Sequence, residues 1–223
     1  MKIVCIGDIH GRPQWQKIVR RESDSDLFIF HGDYITSAEG LSIENQIKEF
    51  EKILEFKENY AEKVCLLAGN HDLEHILPSL GQTTSFDLNL HKWFLKNLDK
   101  ILSNLQIVYT DERQKIIFSH GGVSKTWMNK IGIDKIDDIN TQPLKSFAFS
   151  NHNDSDNSGD SPEQPPTWIR PEALVGHMVD DYTQIVGHTP MKEILNLKNL
   201  WCIDTLLKQY LVIENGNFII KDT

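Results

Sequence analysis

Five apolar runs in this chain each lead straight into residues that can hold a metal ion. KIVCIG is followed by Asp8 and His10, LFIFHG by Asp33, VCLLAG by Asn70, His71 and Asp72, KIIFS by His120, and TQIVG by His188. Short apolar runs bounded by Gly, Asp or Asn predict buried strands, and open α/β sheets bind ligands just outside the carboxyl ends of their strands. Five such ends side by side would place Asp8, His10, Asp33, Asn70, His120 and His188 around one pocket. Residues i and i+2 of an extended segment share a face, so Asp8 and His10 can grip one ion together. The two oxygens of a carboxylate such as Asp33 can bridge two cations, which a histidine cannot do. Two divalent ions about 3.5–4 Å apart lower the pKa of a shared water and clamp both the attacking and leaving oxygens of an in-line displacement. The mixed nitrogen and oxygen donor set suits Mn, Fe, Zn or Ni, with Mn the expected pair, and no cysteine near the motifs argues for a soft site.

The ordered set Asp8-Ile9-His10-Gly11, Gly32-Asp33, Gly69-Asn70-His71-Asp72, His120-Gly121-Gly122 and Gly187-His188-Thr189-Pro190 resembles the calcineurin-like metallophosphoesterases. It is most similar to the branch that holds the serine/threonine protein phosphatases and the symmetrical diadenosine tetraphosphatases. The resemblance spans residues 6 to about 205. It implies a four-layer αββα sandwich with a dinuclear metal site at the strand ends. By motif, Asp8, His10 and Asp33 would hold the first metal, and Asp33, Asn70, His120 and His188 the second. His71 matches the general acid that protonates or stabilises the leaving alkoxide, a sensible task for an imidazole that titrates near neutrality. Trp168-Ile169-Arg170-Pro171 resembles a segment of the bacterial members in which the Arg lies over the substrate phosphate, so Arg170 and Asn70 are the expected substrate-binding residues.

The second motif departs from the family pattern. Where the phosphatases read Gly-Asp-x-x-Asp-Arg-Gly, this chain has Gly32-Asp33-Tyr34-Ile35-Thr36-Ser37. Thr36 replaces the Asp that orients the catalytic imidazole, and Ser37 replaces an Arg that helps hold phosphate. Metal binding is untouched by this; leaving-group protonation and phosphate affinity are what it bears on. Arg12 either supplies a substitute positive charge or is a solvated surface residue. Thr189 stands where other metallophosphoesterases carry a further His, a feature shared by the phosphatase branch. Val175-Gly176-His177 copies Val186-Gly187-His188, but the stretch before His188 is more strand-like, and Ile203-Asp204-Thr205 completes the family pattern after it. His31 is expected at a strand end. His75, His91 and His152 have no site-like neighbours, and Trp168 alone among the tryptophans is placed to stack on a substrate.

These ligands need a scaffold, and the rest of the chain supplies it as a sheet-rich α/β pattern. Strands are expected at 2–6, 27–30, 64–68, 107–110, 115–119, 184–186, 200–203, 209–213 and 218–221, and helices at 14–20, 42–56 and 86–105. The last third reads as antiparallel strands and not as a second doubly wound unit. With 223 residues, one metallophosphoesterase domain over 1–223 is expected. Residues 151–166 (NHNDSDNSGDSPEQPP) lack any aliphatic or aromatic side chain and read as a polar loop inserted into it. Asp154 to Gly159 resembles the start of a calcium loop, but Pro165 occupies the position that needs a bidentate Glu.

No apolar run approaches the roughly 18 residues of a membrane helix, and the N-terminal run is too short for a signal-peptide core. Cys5, Cys65 and Cys202 each lie in an apolar run and read as reduced core residues of a cytoplasmic protein. The net charge of −9 disfavours long nucleic acid as a substrate. The sequence therefore predicts a dinuclear metallophosphatase that attacks a phosphomonoester, on a phosphoprotein or a small phosphorylated compound, with a metal-bridging hydroxide. Hydrolysis of a dinucleoside polyphosphate, phosphodiester cleavage, and a non-catalytic binding module on the same scaffold are the alternatives.

Overall fold

The computed structural model describes residues 1–37, 39–149 and 159–223. It contains two mixed sheets packed face to face. The first has six strands: β1 (Lys2–Ile6), β2 (Leu27–Phe30), β3 (Val64–Leu67), β4 (Leu105–Gln106), and the late pair β10 (Gln209–Glu214) and β11 (Asn217–Asp222). Their order is β11-β10-β1-β2-β3-β4. The second has β5 (Val108–Asp111), β6 (Ile116–Ser119), β7 (Thr183–Val186), β8 (Leu195–Leu197) and β9 (Leu200–Cys202), in the order β5-β6-β7-β9-β8.

The two-residue alternation of β1 explains the layering. Ile3 and Cys5 point between the sheets, where they meet Ile29, Leu67, Phe118, Ile185 and Leu211. Val4 and Ile6 point the other way, into a core with Phe30, Phe50, Ile53, Leu73 and Phe94. That outer core is closed by α1 (Trp15–Arg21), α2 (Ile43–Asn59), α3 (Asn70–Ile76), α4 (Leu88–Lys96) and α5 (Leu98–Asn104). α6 (Lys125–Ile131) adds Trp127 to it. The far face of the second sheet is covered more thinly, by Ile169 and by Leu174 of α7 (Pro171–Leu174), which pack on Val186, Leu200 and Cys202. The three cysteines are buried and unpaired.

The expected strands appear within one or two residues of their predicted bounds, and α2 begins where Ser42 caps it, its hydroxyl accepting the Asn45 N–H at 3.3 Å. Other expectations need correction. The single helix predicted over 86–105 is two, because Asn97 leaves helical geometry (φ −113°, ψ 18°) and its amide bonds the Trp93 carbonyl at 2.8 Å. The last third is not uniformly antiparallel: β7 pairs parallel to β6 and β9 parallel to β7, while β8, β10 and β11 are antiparallel. The segment predicted as an inserted loop at 151–166, and the resemblance to a calcium loop within it, fall largely outside the described residues. No helix among the described residues is long and apolar enough to cross a membrane.

Candidate metal centre

Each strand end that the sequence singled out comes to the same edge, because neighbouring loops bond across it. The His31 N–H donates to the Ile6 carbonyl (2.9 Å), tying the end of β2 to that of β1, and the Gly187 N–H donates to the His120 carbonyl (2.8 Å), tying β7 to β6. The sheets meet where the His120 ring Nδ1–H donates to the His31 carbonyl at 2.6 Å. Packing leaves no room for side chains at the glycines between. A Cβ on Gly69 would collide with Asp33 Oδ1, and one on Gly187 with Asp8 Oδ1.

Three residues of the cluster have left-handed backbones: His10 (φ 46°), Asp33 (φ 49°) and His188 (φ 62°). Such a conformation costs on the order of 1–3 kcal/mol at each non-glycine residue, and persists where the surroundings over-determine it. Here they do. The His10 N–H donates to the Asp33 carbonyl (2.6 Å), and the Asp33 N–H to Asp72 Oδ2 (2.9 Å). The His188 N–H lies 3.1 Å from both Asp8 oxygens. Asp72, fully buried, takes two more backbone donors, Gly69 at 2.8 Å and Tyr34 at 3.1 Å, and so clamps the second and third motifs together. The motif places Asp72 directly after Asn70-His71, among residues able to hold a metal, whereas in the fold it holds backbone N–H groups.

Among the described residues, two groups of side chains have their donor atoms within 4.8 Å of one another: Asp8 with His10 and Asp33, and Asp33 with His120 and His188. Asp33 belongs to both. The ring nitrogens are set for it. The His10 Nδ1–H donates to the Ile35 carbonyl (3.0 Å), which leaves its Nε2 lone pair 3.8 Å from Asp33 Oδ2 and 4.0 Å from Asp8 Oδ2. His120, fixed through Nδ1 in the same way, turns Nε2 toward Asn70 Oδ1 (3.1 Å), His188 Nδ1 (3.2 Å) and Asp33 Oδ2 (3.3 Å). Acceptors thus crowd acceptors in a buried place, and His188 Nε2 and Asp204 Oδ2 have no hydrogen-bond partner among the described residues. A donor set of carboxylates, imidazoles and an amide oxygen, short of positive charge, fits divalent cations of the harder and borderline kind.

The protonation pattern points the same way. Burial opposes charge on His120, but Asp33 and Asp8 overcome it and push the imidazole up to about 10. Burial works against an ionised Asp33, and His120, His71 and His10 around it nevertheless hold it well below the usual carboxylate range. Burial, together with Asp204 and Asp33, raises Asp8, while burial lowers His10 and His188. Asp33 and Asp8 thus favour positive charge at this spot, which a bound cation would supply.

The other sequence-predicted residues surround this centre. The His71 N–H donates to Asp33 Oδ1 (3.0 Å), and its ring lies 5.5 Å from that of His10. Its Nδ1 is 2.8 Å from Glu74 Oε1, a carboxylate that no motif in the sequence marks. Arg170 precedes α7 and is near enough to His188 for its charge to help keep that ring neutral. The segment carrying Arg170 is seated on His120-Gly121-Gly122, whose Gly121 and Gly122 N–H groups both donate to the Pro166 carbonyl (2.5 and 3.2 Å). Trp168 packs between the Phe149 ring (4.5 Å) and the His188 ring (5.3 Å).

Arg12 is not a solvated surface residue: it is 3% exposed, and its guanidinium reaches Glu39 at 3.2 Å. Thr36 is also buried; its N–H is taken by Gln46 Oε1 (2.6 Å) and its hydroxyl has no hydrogen-bond partner among the described residues. His31 sits at its strand end, where its carbonyl steers His120. His177 bonds Thr126 (2.8 Å) and stands outside both donor groups.

Residues 1–212 match the calcineurin-like phosphoesterases. The chain belongs to that family. It is therefore a metallophosphoesterase, with an α/β fold of two mixed sheets and buried Asp and His clusters suited to a metal site. A symmetrical bis(5'-nucleosyl)-tetraphosphatase of Buchnera aphidicola subsp. Schizaphis graminum is 26% identical over 136 residues, covering 57% of this chain and 46% of that protein. The match thus spans under half the length of that relative. Among solved structures, the cold-active protein-tyrosine phosphatase of a psychrophilic Shewanella species superposes with a TM-score of 0.68 at 17% identity, over 99% of this chain and 77% of that one. A protein serine/threonine phosphatase from Saccharomyces cerevisiae gives 0.64 at 12% identity, over 99% and 79%. These likenesses establish the shared fold.

Proposed function

We propose that this metallophosphoesterase is a dinuclear phosphatase that hydrolyses phosphomonoesters, of a phosphoprotein or a small phosphorylated compound. The observation that carries the reading is Asp33: one buried carboxylate shared by two donor groups, with His71 bonded to its other oxygen. Asp8, His10 and Asp33 would hold one cation, and Asp33, Asn70, His120 and His188 the other. Two cations, when bound, would supply a hydroxide nucleophile at neutral pH and would offset charge on the phosphoryl oxygens. The protein's own residues do the remainder. Arg170 offers a guanidinium fork to the phosphoryl group, the Asn70 amide lies beside the same space, and Trp168 walls it. His71 delivers a proton to the departing oxygen, without which an alkoxide is a poor leaving group. Arg12, held by Glu39, contributes positive charge to the rim of the loop after β1.

The net charge of −9 counts against a long polyanion as substrate. A second reading, hydrolysis of a dinucleoside polyphosphate, is favoured by the tetraphosphatase relative and by Trp168-Ile169-Arg170-Pro171. The test compares p-nitrophenyl phosphate, bis-p-nitrophenyl phosphate and diadenosine tetraphosphate, metal-stripped and with Mn²⁺ restored. Mn²⁺-dependent cleavage of the monoester is expected. Release of two ADP from the tetraphosphate with little monoester activity would move the assignment to the second reading, and cleavage of the diester alone would make the protein a phosphodiesterase.

A further inference from the structure

We infer that Glu74 is the positioning residue for the His71 imidazole, an inference that rests on the phosphatase reading and adds the carboxylate that the second motif lacks. Glu74 is 0% exposed. A carboxylate in such a place is costly unless donors surround it, and three do. The His71 ring Nδ1–H donates to Oε1 at 2.8 Å, the Thr83 hydroxyl to Oε1 at 3.0 Å, and the Thr83 N–H to Oε2 at 2.6 Å. His71 and Glu74 are three residues apart on α3, hence on one helix face. Thr36, the residue at the second-motif position, makes no bond through its hydroxyl among the described residues and turns its N–H to Gln46.

With Oε2 accepting the Thr83 N–H and Oε1 the Thr83 hydroxyl, the Glu74 carboxyl meets the ring as an acceptor and fixes the ring proton on Nδ1. Nε2 is then the nitrogen whose proton can be given away. The rest of His71 is equally constrained: its N–H is held by Asp33 Oδ1 (3.0 Å), and its carbonyl accepts from the His75 ring at 2.7 Å. Only the ring torsion remains, and Glu74 closes it. In the reaction, water supplies the oxygen that forms the new P–O bond, keeping one hydrogen on it and releasing the other as a proton to solvent. As the ester P–O bond breaks, its electron pair passes to the leaving oxygen, which takes the proton from His71 Nε2. The ring becomes a neutral imidazole, keeps Nδ1–H on Glu74, and regains its second proton from solvent.

Glu74 also pins the 83–85 segment to α3 through Thr83, so a purely structural role must be separable. Proton donation matters for a poor leaving group and hardly at all for a good one. In the full chain with Mn²⁺, Glu74→Gln is expected to lower kcat for phenyl phosphate by about 10- to 100-fold and that for 2,4-dinitrophenyl phosphate by less than about threefold. Thr83→Val keeps the 2.8 Å Glu74–His71 bond and removes a hydroxyl that lies a longer 3.4 Å from His71 Nδ1, so it should show no such split. In the full chain with diamagnetic Zn²⁺, the hydrogen-bonded Nδ1–H resonance of His71 should be present in wild type and lost in Glu74→Gln. Should that variant not fold, Glu74→Asp, which draws the carboxylate back by one methylene, is read on the same two substrates and resonance. Equal losses on both substrates, or an unchanged His71 resonance, would overturn the role of Glu74 and leave the phosphatase reading standing. A wild type that hydrolyses neither substrate would sink the phosphatase reading, and the resonance would still decide whether Glu74 sets the ring.

Discussion

The two ends of β1 carry opposite kinds of buried charge. At the start of the strand, Glu22 is 2% exposed and every donor around it is matched: Lys2 Nζ at 2.9 Å, Lys221 Nζ at 2.7 Å and the Tyr210 hydroxyl at 2.7 Å. At the far end, Asp8, Asp33 and Asp204 are equally buried, but backbone N–H groups and imidazoles surround them where Glu22 has lysines, and Asp204 Oδ2 and His188 Nε2 have no hydrogen-bond partner among the described residues. Glu22 sits in an ordinary backbone conformation (φ −106°), whereas His10, Asp33 and His188 are all left-handed. Buried polar groups in folded proteins are paired by the chain itself wherever that is possible. Where five strand ends converge and still leave acceptors facing acceptors, the missing partner is a species the chain does not encode. The first cluster holds the sheet together; the second is built to receive something.

The largest expected effect comes from the residue that belongs to both donor groups. Asp33→Asn removes the charge and one potential bridging oxygen while preserving size. Bound metal, counted by mass spectrometry after dialysis against Mn²⁺, should fall from two ions per chain to one or none, and kcat should drop on the order of 10³-fold. Retention of two ions with unaltered activity would break the contrast between the two ends of β1, because the site would then not depend on its shared ligand.

Glu22→Gln makes the converse change and should leave metal content and kcat alone. Its cost is to the fold, about 3 kcal/mol, since Lys2 and Lys221 lose the charge they converge on. The acid titration of wild type has a definite sign. Burial opposes ionisation of Glu22, yet Lys221, Tyr210 and Lys2 together pull it down to about 2. A carboxyl whose pKa is lower folded than unfolded binds more protons when unfolded, so its stabilisation is complete above about pH 4.5 and is lost as pH falls toward about 2. Urea titrations at pH 6 and pH 3 should show a stability loss for wild type that is smaller in Glu22→Gln by that group's share.

How much of this was legible in the sequence divides along the same line. Asp8, His10, Asp33, Asn70, His120 and His188 could be singled out because each follows an apolar run that stops abruptly, and strand ends of parallel sheets share an edge whatever the register. Glu74 could not, because α3 is only seven residues long and begins inside the motif itself, where the apolar run of β3 has just ended and no helical period can be recognised. Glu22, Lys2 and Lys221 are separated by up to 219 positions and meet only through the pairing of β1 with β10 and of β10 with β11. The parallel pairing of β7 and β9 was hidden for a related reason: no helix marks the crossover between them, and Leu195–Leu197, half exposed and three residues long, gives too weak an alternation to announce β8. The break at Asn97 was invisible because Trp93, Phe94, Leu98 and Ile101 keep a helical spacing straight through it.

Asp72 tests the contrast most finely, since it belongs to the site by position but to the scaffold by bonding. Its carboxylate takes the N–H groups of Gly69, Asp33 and Tyr34 and is fully buried. In Asp72→Asn one oxygen survives and the other becomes an NH₂ that faces donors, so at least one backbone N–H must turn away or go unbonded. The left-handed Asp33 is then less firmly held, and its two oxygens no longer sit where both donor groups need them. Metal affinity measured by calorimetry should weaken by about 10-fold, at the low end for residues that orient ligands, while metal stoichiometry at saturation and the far-UV spectrum stay as in wild type. A fall in stability with unchanged affinity would place Asp72 with Glu22, as a residue that secures the fold, and would mean that the strained backbone at Asp33 is held by packing alone.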